Sequence, residues 1–105
     1  MKKIAIACFK PNPHMESKLI ELILMHGSAL RRSGYVSETP SYRAKSSDGK
    51  IIEVFEWISN EAKEKAHQDP EIKSIWDEFE SICEITILGS LPESKHKFAN
   101  FNSLF

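Results

Sequence analysis

The chain has 105 residues, a common size for a single domain, and 41% of them are hydrophobic, which is enough for a modest core. Its 14 basic and 15 acidic residues give a formal net charge of −1 and are scattered, so we predict no binding of nucleic acid. No segment approaches the length of a membrane span, and no binding to a membrane is predicted.

The first segment, MKKIAIACFKP, resembles a secretion signal in having lysines before an apolar run. The run is too short for a signal and closes at a proline, so we predict a strand over Lys3–Lys10. Without a signal the expected compartment is the cytoplasm, where Cys8 and Cys83 are expected to be reduced. Two distant cysteines without a CxxC motif do not predict a metal site.

A first helix is predicted to follow. Asn12 suits its N-cap, Pro13 its first position, and Gly34 its stop after Arg32. Residues at helical spacing mark one buried face: Leu19, Leu22, Ile23, His26 and Leu30.

The middle of the chain predicts a hairpin. Pro40 favours an edge or bulged strand between Tyr35 and Ser46, because proline donates no ladder hydrogen bond. Asp48-Gly49 is a tight-turn signal. Ile51–Ile58 follows as a strand rich in branched and aromatic residues.

The second half predicts a broken helix and a last strand. Ser59 suits the cap of a short helix, and Asp69-Pro70 ends it and begins another. The apolar stripe of the second piece comprises Ile72, Ile75, Trp76, Phe79 and Ile82. Glu84–Gly89 is the predicted last strand.

The order β-α-β-β-α-β predicts a ferredoxin-like α+β domain over residues 1–89, with a four-stranded antiparallel sheet and both helices on one face. Its usual strand order puts the last strand beside the first, so we expect Cys8 and Cys83 to be neighbours. The strands are apolar on both sides, and a homodimer that pairs two sheet faces would cover the second side.

The tail, residues 90–105, contains three phenylalanines, Phe98, Phe101 and Phe105. A disordered tail has little use for them. We therefore expect the tail to lie over a groove of its own protomer or of the partner, where it covers the pocket.

The chain resembles the antibiotic biosynthesis monooxygenase-like proteins of the dimeric α+β-barrel superfamily. The resemblance rests on the element order, the strand end Val54-Phe55-Glu56-Trp57, the helix start Ser59-x-x-Ala62, and Ala66-His67 before a short helix. The resemblance spans roughly Lys3 to Gly89. It implies a sheet-on-sheet dimer with a pocket in each protomer, between sheet and helices or inside the barrel.

One branch of this family degrades haem with an asparagine on the first strand, a tryptophan about nine residues after the strand-end tryptophan, and a histidine ligand about ten residues beyond. Alignment on Trp57 puts Ala7 or Cys8, Ala66 and Trp76 at those positions, so haem degradation is disfavoured and no cofactor is expected.

The cofactor-independent branch requires a dry pocket, a hydrogen-bonding group and a base. The resemblance thus implies a monooxygenase acting on a small aromatic or lipophilic molecule. Two alternatives stay open: a non-catalytic protein that binds a small hydrophobic ligand, and a purely structural homodimer.

The predicted catalytic residues are His67, Glu53 and Glu56. His67 needs a carboxylate neighbour to act as acid or base, and otherwise is a cation at a helix C-terminus. Glu53 and Glu56 lie on opposite sides of one strand. Either needs a partner if buried, and Tyr42 and Arg43 across the hairpin are the candidates. These two residues are also predicted to line the pocket.

Three further residues are predicted to line a pocket or to pack in the core. Trp57 forms a pocket wall or packs against a helix or the partner. Trp76 lies on the stripe of its helix, which favours the core. His26 on the first helix is a hydrogen-bonded core histidine or a pocket group.

Overall fold

The structure of the protein is a computed structural model that describes residues 1–104. Over these residues three helices and a five-stranded antiparallel sheet form an α+β fold. The strands are β1 (Lys3–Pro11), β2 (Tyr42–Lys45), β3 (Ile51–Trp57), β4 (Cys83–Thr86) and β5 (Asn102–Ser103). The helices are α1 (Glu16–Arg32), α2 (Asn60–Gln68) and α3 (Pro70–Ile82). No helix in this part of the chain is long and apolar enough to cross a membrane.

The strands lie in the order β4-β1-β3-β2-β5. The fifth strand was not among the four expected, because it comes from the tail and pairs Ser103 with Ala44 at the edge of β2. The Leu104 N–H also donates to the Arg43 carbonyl at 3.0 Å. Two residues are too few to show a period-two pattern, so the sequence carries no signal for β5.

Helix α1 begins three residues later than predicted. Pro13 and His14 form a turn in which His14 has a φ of 65°, and Met15 precedes the helix without a side-chain cap. Asn12 has another role, because its backbone N–H donates to the Ile82 carbonyl at 2.9 Å. This bond ties the end of β1 to the end of α3.

The other predicted caps are confirmed. Ser59 Oγ accepts from the Ala62 N–H at 3.0 Å, and Asp69 Oδ1 accepts from the Glu71 N–H at 2.9 Å. Pro70 occupies the first turn of α3. Gly34, just after α1, has a positive φ of 77°, as a helix stop requires.

Two predicted strands are shorter than expected. Only β2 and one isolated bridge, Val36 to Trp57, form in the region of Pro40. Strand β4 ends at Thr86, and a 3₁₀ turn over Leu88–Ser90 replaces the end of the predicted last strand.

The sheet has one face covered by helices and one without them. On the helix face, Phe9, Ile51 and Trp57 join a single core with the buried residues of the helices. The other face, here called the open face, carries the alternate residues of the same strands. There Cys8 and Ile52 are buried by Leu91 and Phe101 of the chain's own tail. Phe105 lies outside the described residues.

The two cysteines are not neighbours, contrary to expectation. The β1–β4 register pairs Cys8 with Thr86 and Pro11 with Cys83. Cys83 therefore belongs to the helix-face core and Cys8 to the open face. Strand β4 begins at Cys83 itself, and the three-residue offset between Cys8 and Pro11 puts the thiols on opposite faces.

Candidate functional site

Polar side chains meet in the layer between the helices and the sheet. We call this group the interior polar cluster and define it as His26 of α1, Arg43 of β2, Glu53 of β3 and Trp76 of α3. All four residues come from different elements, so the cluster exists only in the folded chain.

Glu53 and Arg43 form an ion pair in the interior. The hairpin register puts them opposite each other, and Arg43 Nε donates to Glu53 Oε2 at 3.0 Å. Glu53 is only 2% exposed. Burial raises the pKa of Glu53, and the Arg43 guanidinium opposes that rise. The predicted partnership with Arg43 is thus present, as a buried carboxylate requires.

Arg43 also reaches the first helix. A Cβ atom added to Gly27 would lie 2.9 Å from Arg43 Nη2, so the glycine leaves the space that the guanidinium uses. Gly27 follows His26 directly, and the positive charge of Arg43 acts on that imidazole. The sequence alone did not identify Gly27 as a packing position, because an isolated glycine can occur in a helix for several different reasons.

His26 is 6% exposed and lies between aromatic rings. Its ring meets the edge of Phe79 with 5.5 Å between centroids, and Trp76 Nε1–H donates to its Nε2 at 2.8 Å. Burial, together with the charge of Arg43, lowers the pKa of His26 to about 4. The ring is therefore neutral at pH 7.

The bond from Trp76 decides the tautomer of His26. Because Nε2 accepts a hydrogen bond, the single proton of the neutral ring must lie on Nδ1. This Nδ1 is buried and has no hydrogen-bond partner within residues 1–104. The cluster thus holds an N–H donor that is available to an oxygen acceptor, and buried donors are seldom left unpaired.

Little free space lies beside Glu53. The space beside Glu53, bordered by Gly27, Val36 and Phe55, has a volume of about 10 Å³. That is enough for about one water molecule. No group of three or more metal-binding side chains gathers anywhere in the described chain.

His67 does not join the predicted glutamates. It is exposed at the end of α2, where its Nδ1–H donates to the Lys63 carbonyl at 2.7 Å. Its ring packs against Trp76 with 4.8 Å between centroids. Within the described residues it forms no hydrogen bond or ion pair with Glu53 or Glu56, so no His67–carboxylate pair exists.

Glu56 lies on the open face, opposite Ile4. It is half-buried, accepts from Thr39 Oγ1 at 3.4 Å and lies 3.9 Å from Lys2 Nζ. The three predicted catalytic residues therefore occupy three separate places. Of these, only Glu53 lies in the interior polar cluster.

The remaining predicted pocket residues also divide between the faces. Tyr42 pairs across from Val54 on the open face and is 76% exposed, so it is no partner for Glu53. Trp57 is buried on the helix side, with its ring edge-on to Phe55. Trp76 is half-buried and links exposed His67 to His26, a role that its place on the apolar stripe did not reveal.

A second concavity lies on the open face. It has a volume of about 330 Å³, within the range of small-molecule sites. It lies between the sheet and the tail, and its wall is mostly apolar. Its lining includes Ile6, Tyr42, Ile52, Val54, Leu88 and Phe101.

The chain is similar in fold to a solved structure, that of Rv0793 from Mycobacterium tuberculosis. The two are 20% identical, with a TM-score of 0.61, and the match covers 90% of this chain and 99% of that one. At this identity the similarity shows a shared fold and nothing about activity. No model of a protein family and no curated protein matches the chain.

Proposed function

We propose that the protein is a cofactor-independent monooxygenase of the dimeric α+β-barrel type, acting on a small aromatic or lipophilic molecule. The observation that carries the proposal is the interior polar cluster, in which His26 has an unpartnered Nδ1–H and is influenced by the charge of Arg43, the partner of buried Glu53. The strand order β4-β1-β3-β2 supports a ferredoxin-like domain with an added edge strand. The resemblance to the antibiotic biosynthesis monooxygenase-like proteins supports the reaction class.

A quinol is the substrate type that this chemistry favours. An enzyme without a cofactor must take from the substrate all four electrons that reduce O₂ to the oxidation level of water. A quinol meets this need: quinol and O₂ give a hydroxyquinone and water. One oxygen atom forms a bond to a ring carbon, and the other leaves as water with two hydrogens.

The cluster supplies a role for each group in such a reaction. Glu53 takes the hydroxyl proton, since its raised pKa brings it nearer to the working pH of a general base. The Nδ1–H of His26 donates to the resulting phenolate oxygen. Arg43 balances the negative charge of the phenolate, and this electrostatic stabilisation is strongest in a site without bulk water.

Entry of a ring requires side chains to move, because the space beside Glu53 holds about one water molecule. At the His26 end of the cluster, Trp76 is the group that we propose to move. It is half-buried, it caps His26, and its other side faces the exposed His67. Displacement of the indole opens the cluster to solvent at that point.

Oxygen uptake with a panel of quinols tests the proposal. We expect wild-type protein to exceed the rate without protein, Glu53→Gln to lose at least about 100-fold, and the exposed-site control Glu80→Gln to retain activity. Mass spectrometry after incubation with ¹⁸O₂ should find one labelled atom in the hydroxyquinone. Uptake equal to the rate without protein for every quinol, or an unlabelled product, would reject the proposal.

A second candidate is a non-catalytic homodimer, and the packed interior favours it. Whichever of the two holds, we propose dimerisation through the open faces. Ile4 is 71% exposed there, and Ile6 and Tyr42 are also exposed. Contiguous exposed apolar groups of this kind mark association sites. Sedimentation velocity at micromolar concentration measures the association, and a dimer without oxygen uptake would favour this candidate.

A further inference from the structure

The open face is divided into two unlike halves along the strand direction. At one half, the tail lies on the sheet, where Leu91 and Phe101 pack against Cys8 and Ile52. The tail therefore stands above the sheet there. We call this raised part, residues 88–101, the tail ridge.

The other half of the open face is less covered, because Ile4, Ile6 and Tyr42 are exposed there. Ile4 pairs with Glu56 at the strand ends remote from the tail ridge, and Tyr42 pairs with Val54 beside the ridge. A cleft of about 100 Å³ between Ile4, Tyr42 and Val54 has almost entirely apolar walls. We call this half the hollow; it comprises Ile4, Ile6, Tyr42, Val54 and Glu56.

The tail ridge carries groups that fit the hollow chemically. Phe98 is 87% exposed, which is unusual for a large aromatic side chain, and it lies between Leu91 and Phe101, which pack on the sheet. Lys95 and Lys97 precede it in sequence and are exposed. At the rim of the hollow, the half-buried Glu56 has only a distant cation, Lys2 at 3.9 Å.

We infer that the occupant of the hollow is the tail ridge of a second copy of this chain. This inference rests on the proposed homodimer and adds its geometry. Phe98 of each protomer fills the apolar cleft of the other, and Lys95 or Lys97 lies near Glu56 of the other. Both copies gain the same contacts, as an isologous interface requires.

Symmetry allows this arrangement for one direction of the two-fold axis. An axis that lies between the two sheets and perpendicular to the strands reverses the strand direction, so each tail ridge meets a hollow. An axis parallel to the strands would put ridge on ridge and leave both hollows bare. The tail thus favours the axis perpendicular to the strands. Without the tail, nothing in this argument would distinguish the two axes.

Cross-linking of co-expressed single-cysteine variants tests the axis. Ile4→Cys is paired with a size-tagged Phe98→Cys, and both are treated with a short bismaleimide. We expect a covalent product of mixed size, and little product when either variant is treated alone. Wild-type protein is the control, because Cys8 and Cys83 are buried.

A charge reversal provides the second measurement. In sedimentation experiments we expect Glu56→Lys to raise the dimer dissociation constant at least tenfold. Adding Lys95→Glu and Lys97→Glu to this variant should restore most of the lost affinity. The exposed control Glu80→Lys should leave the constant unchanged.

The outcomes separate this inference from the homodimer itself. A wild-type protein that stays monomeric at micromolar concentration would overturn both. A dimer in which Phe98→Cys alone links to itself, or in which Ile4→Cys and Phe98→Cys give no mixed product, would overturn only the contact of tail ridge with hollow.

Discussion

The two faces of the sheet are built from alternate residues of the same strands and have similar apolar content, yet they are covered differently. On the helix face, Phe9 and Ile51 are buried beneath the helices. On the open face, Cys8 is buried by the tail, whereas Ile4, four residues earlier on the same strand, is 71% exposed. Apolar alternation therefore identifies which residues share a face, but not what covers them.

The comparison also separates chemistry from association. Every buried charged group of the candidate site lies on the helix face, where the Glu53–Arg43 pair and neutral His26 share the interior. The open face is apolar, with one half-buried carboxylate, Glu56, at its rim. The helix face is thus suited to proton transfer and the open face to a second copy.

The largest expected effect comes from the helix face. Phe79 is buried, stacked on Phe9 with 5.0 Å between centroids and in edge contact with His26. Phe79→Ala leaves a cavity at the centre of that layer and should lower the free energy of unfolding by about 4 kcal/mol. Urea denaturation at a fixed protein concentration measures the change. The partly exposed Leu24→Ala on α1 is the control, and an equal loss there would contradict a core centred on Phe79.

The next effect tests the ion pair. Glu53→Ala leaves the mostly buried Arg43 guanidinium without its partner and should cost about 3 kcal/mol of unfolding free energy. Glu56→Ala on the open face should cost less than about 1 kcal/mol, because its partner is distant and exposed. The double change Glu53→Leu with Arg43→Met should recover much of the loss. If Glu56→Ala lowers the unfolding free energy as much as Glu53→Ala does, the carboxylates of the two faces contribute equally to stability and the contrast between the faces is wrong.

Short-range patterns explain which of these features the sequence could predict. The Asp48-Gly49 turn aligned β2 with β3, so Arg43 was foreseen as a partner of Glu53. The stripes of α1 and α3 predicted that His26 and Trp76 face inward. Their hydrogen bond depends on how the two helices cross, and no local period encodes that crossing.

Other features failed for equally physical reasons. Cys8 and Cys83 were expected to be neighbours because their strands are adjacent. The register separates them by an odd number of residues along β1, which puts their side chains on opposite faces of the sheet. His67 needed a carboxylate neighbour to act as an acid or base, but α2 carries it to the outer side of Trp76, away from both glutamates. The tail has no periodicity, so its path over Cys8 was beyond pattern analysis.

A smaller effect concerns pH and the helix face. The pKa of His26 is lowered from 6.5 to about 4, so the unfolded chain binds a proton that the folded chain does not. Its contribution to stability is complete above pH 6.5 and is lost as pH falls toward 4, by up to about 3 kcal/mol. Buried Glu53 opposes this trend, since its pKa is raised. We therefore expect the combined loss from these two groups to be smaller than that from His26 alone.

Comparison of variants isolates the histidine in this pH dependence. His26→Gln keeps an acceptor for Trp76 and should flatten the stability profile between pH 6.5 and 4, as measured by urea denaturation across that interval. His67→Gln at the exposed site should keep the wild-type slope. A profile for His26→Gln as steep as that of the wild type would show that His26 does not titrate on unfolding.

The smallest effect on folding is expected on the less covered half of the open face. Ile4→Thr should change the unfolding free energy of the dissociated chain by less than about 0.5 kcal/mol, because the side chain already lies in water. Ile52→Thr, on the same face but beneath the tail, should cost about 2 kcal/mol, because it replaces a buried ethyl group with a hydroxyl. Urea denaturation at a series of protein concentrations gives the two unfolding free energies. Sedimentation gives the dimer dissociation constant, which Ile4→Thr should raise more than Ile52→Thr does. If the two substitutions cost the same in the monomer, the tail does not cover the sheet in solution, and the two halves of the open face are alike.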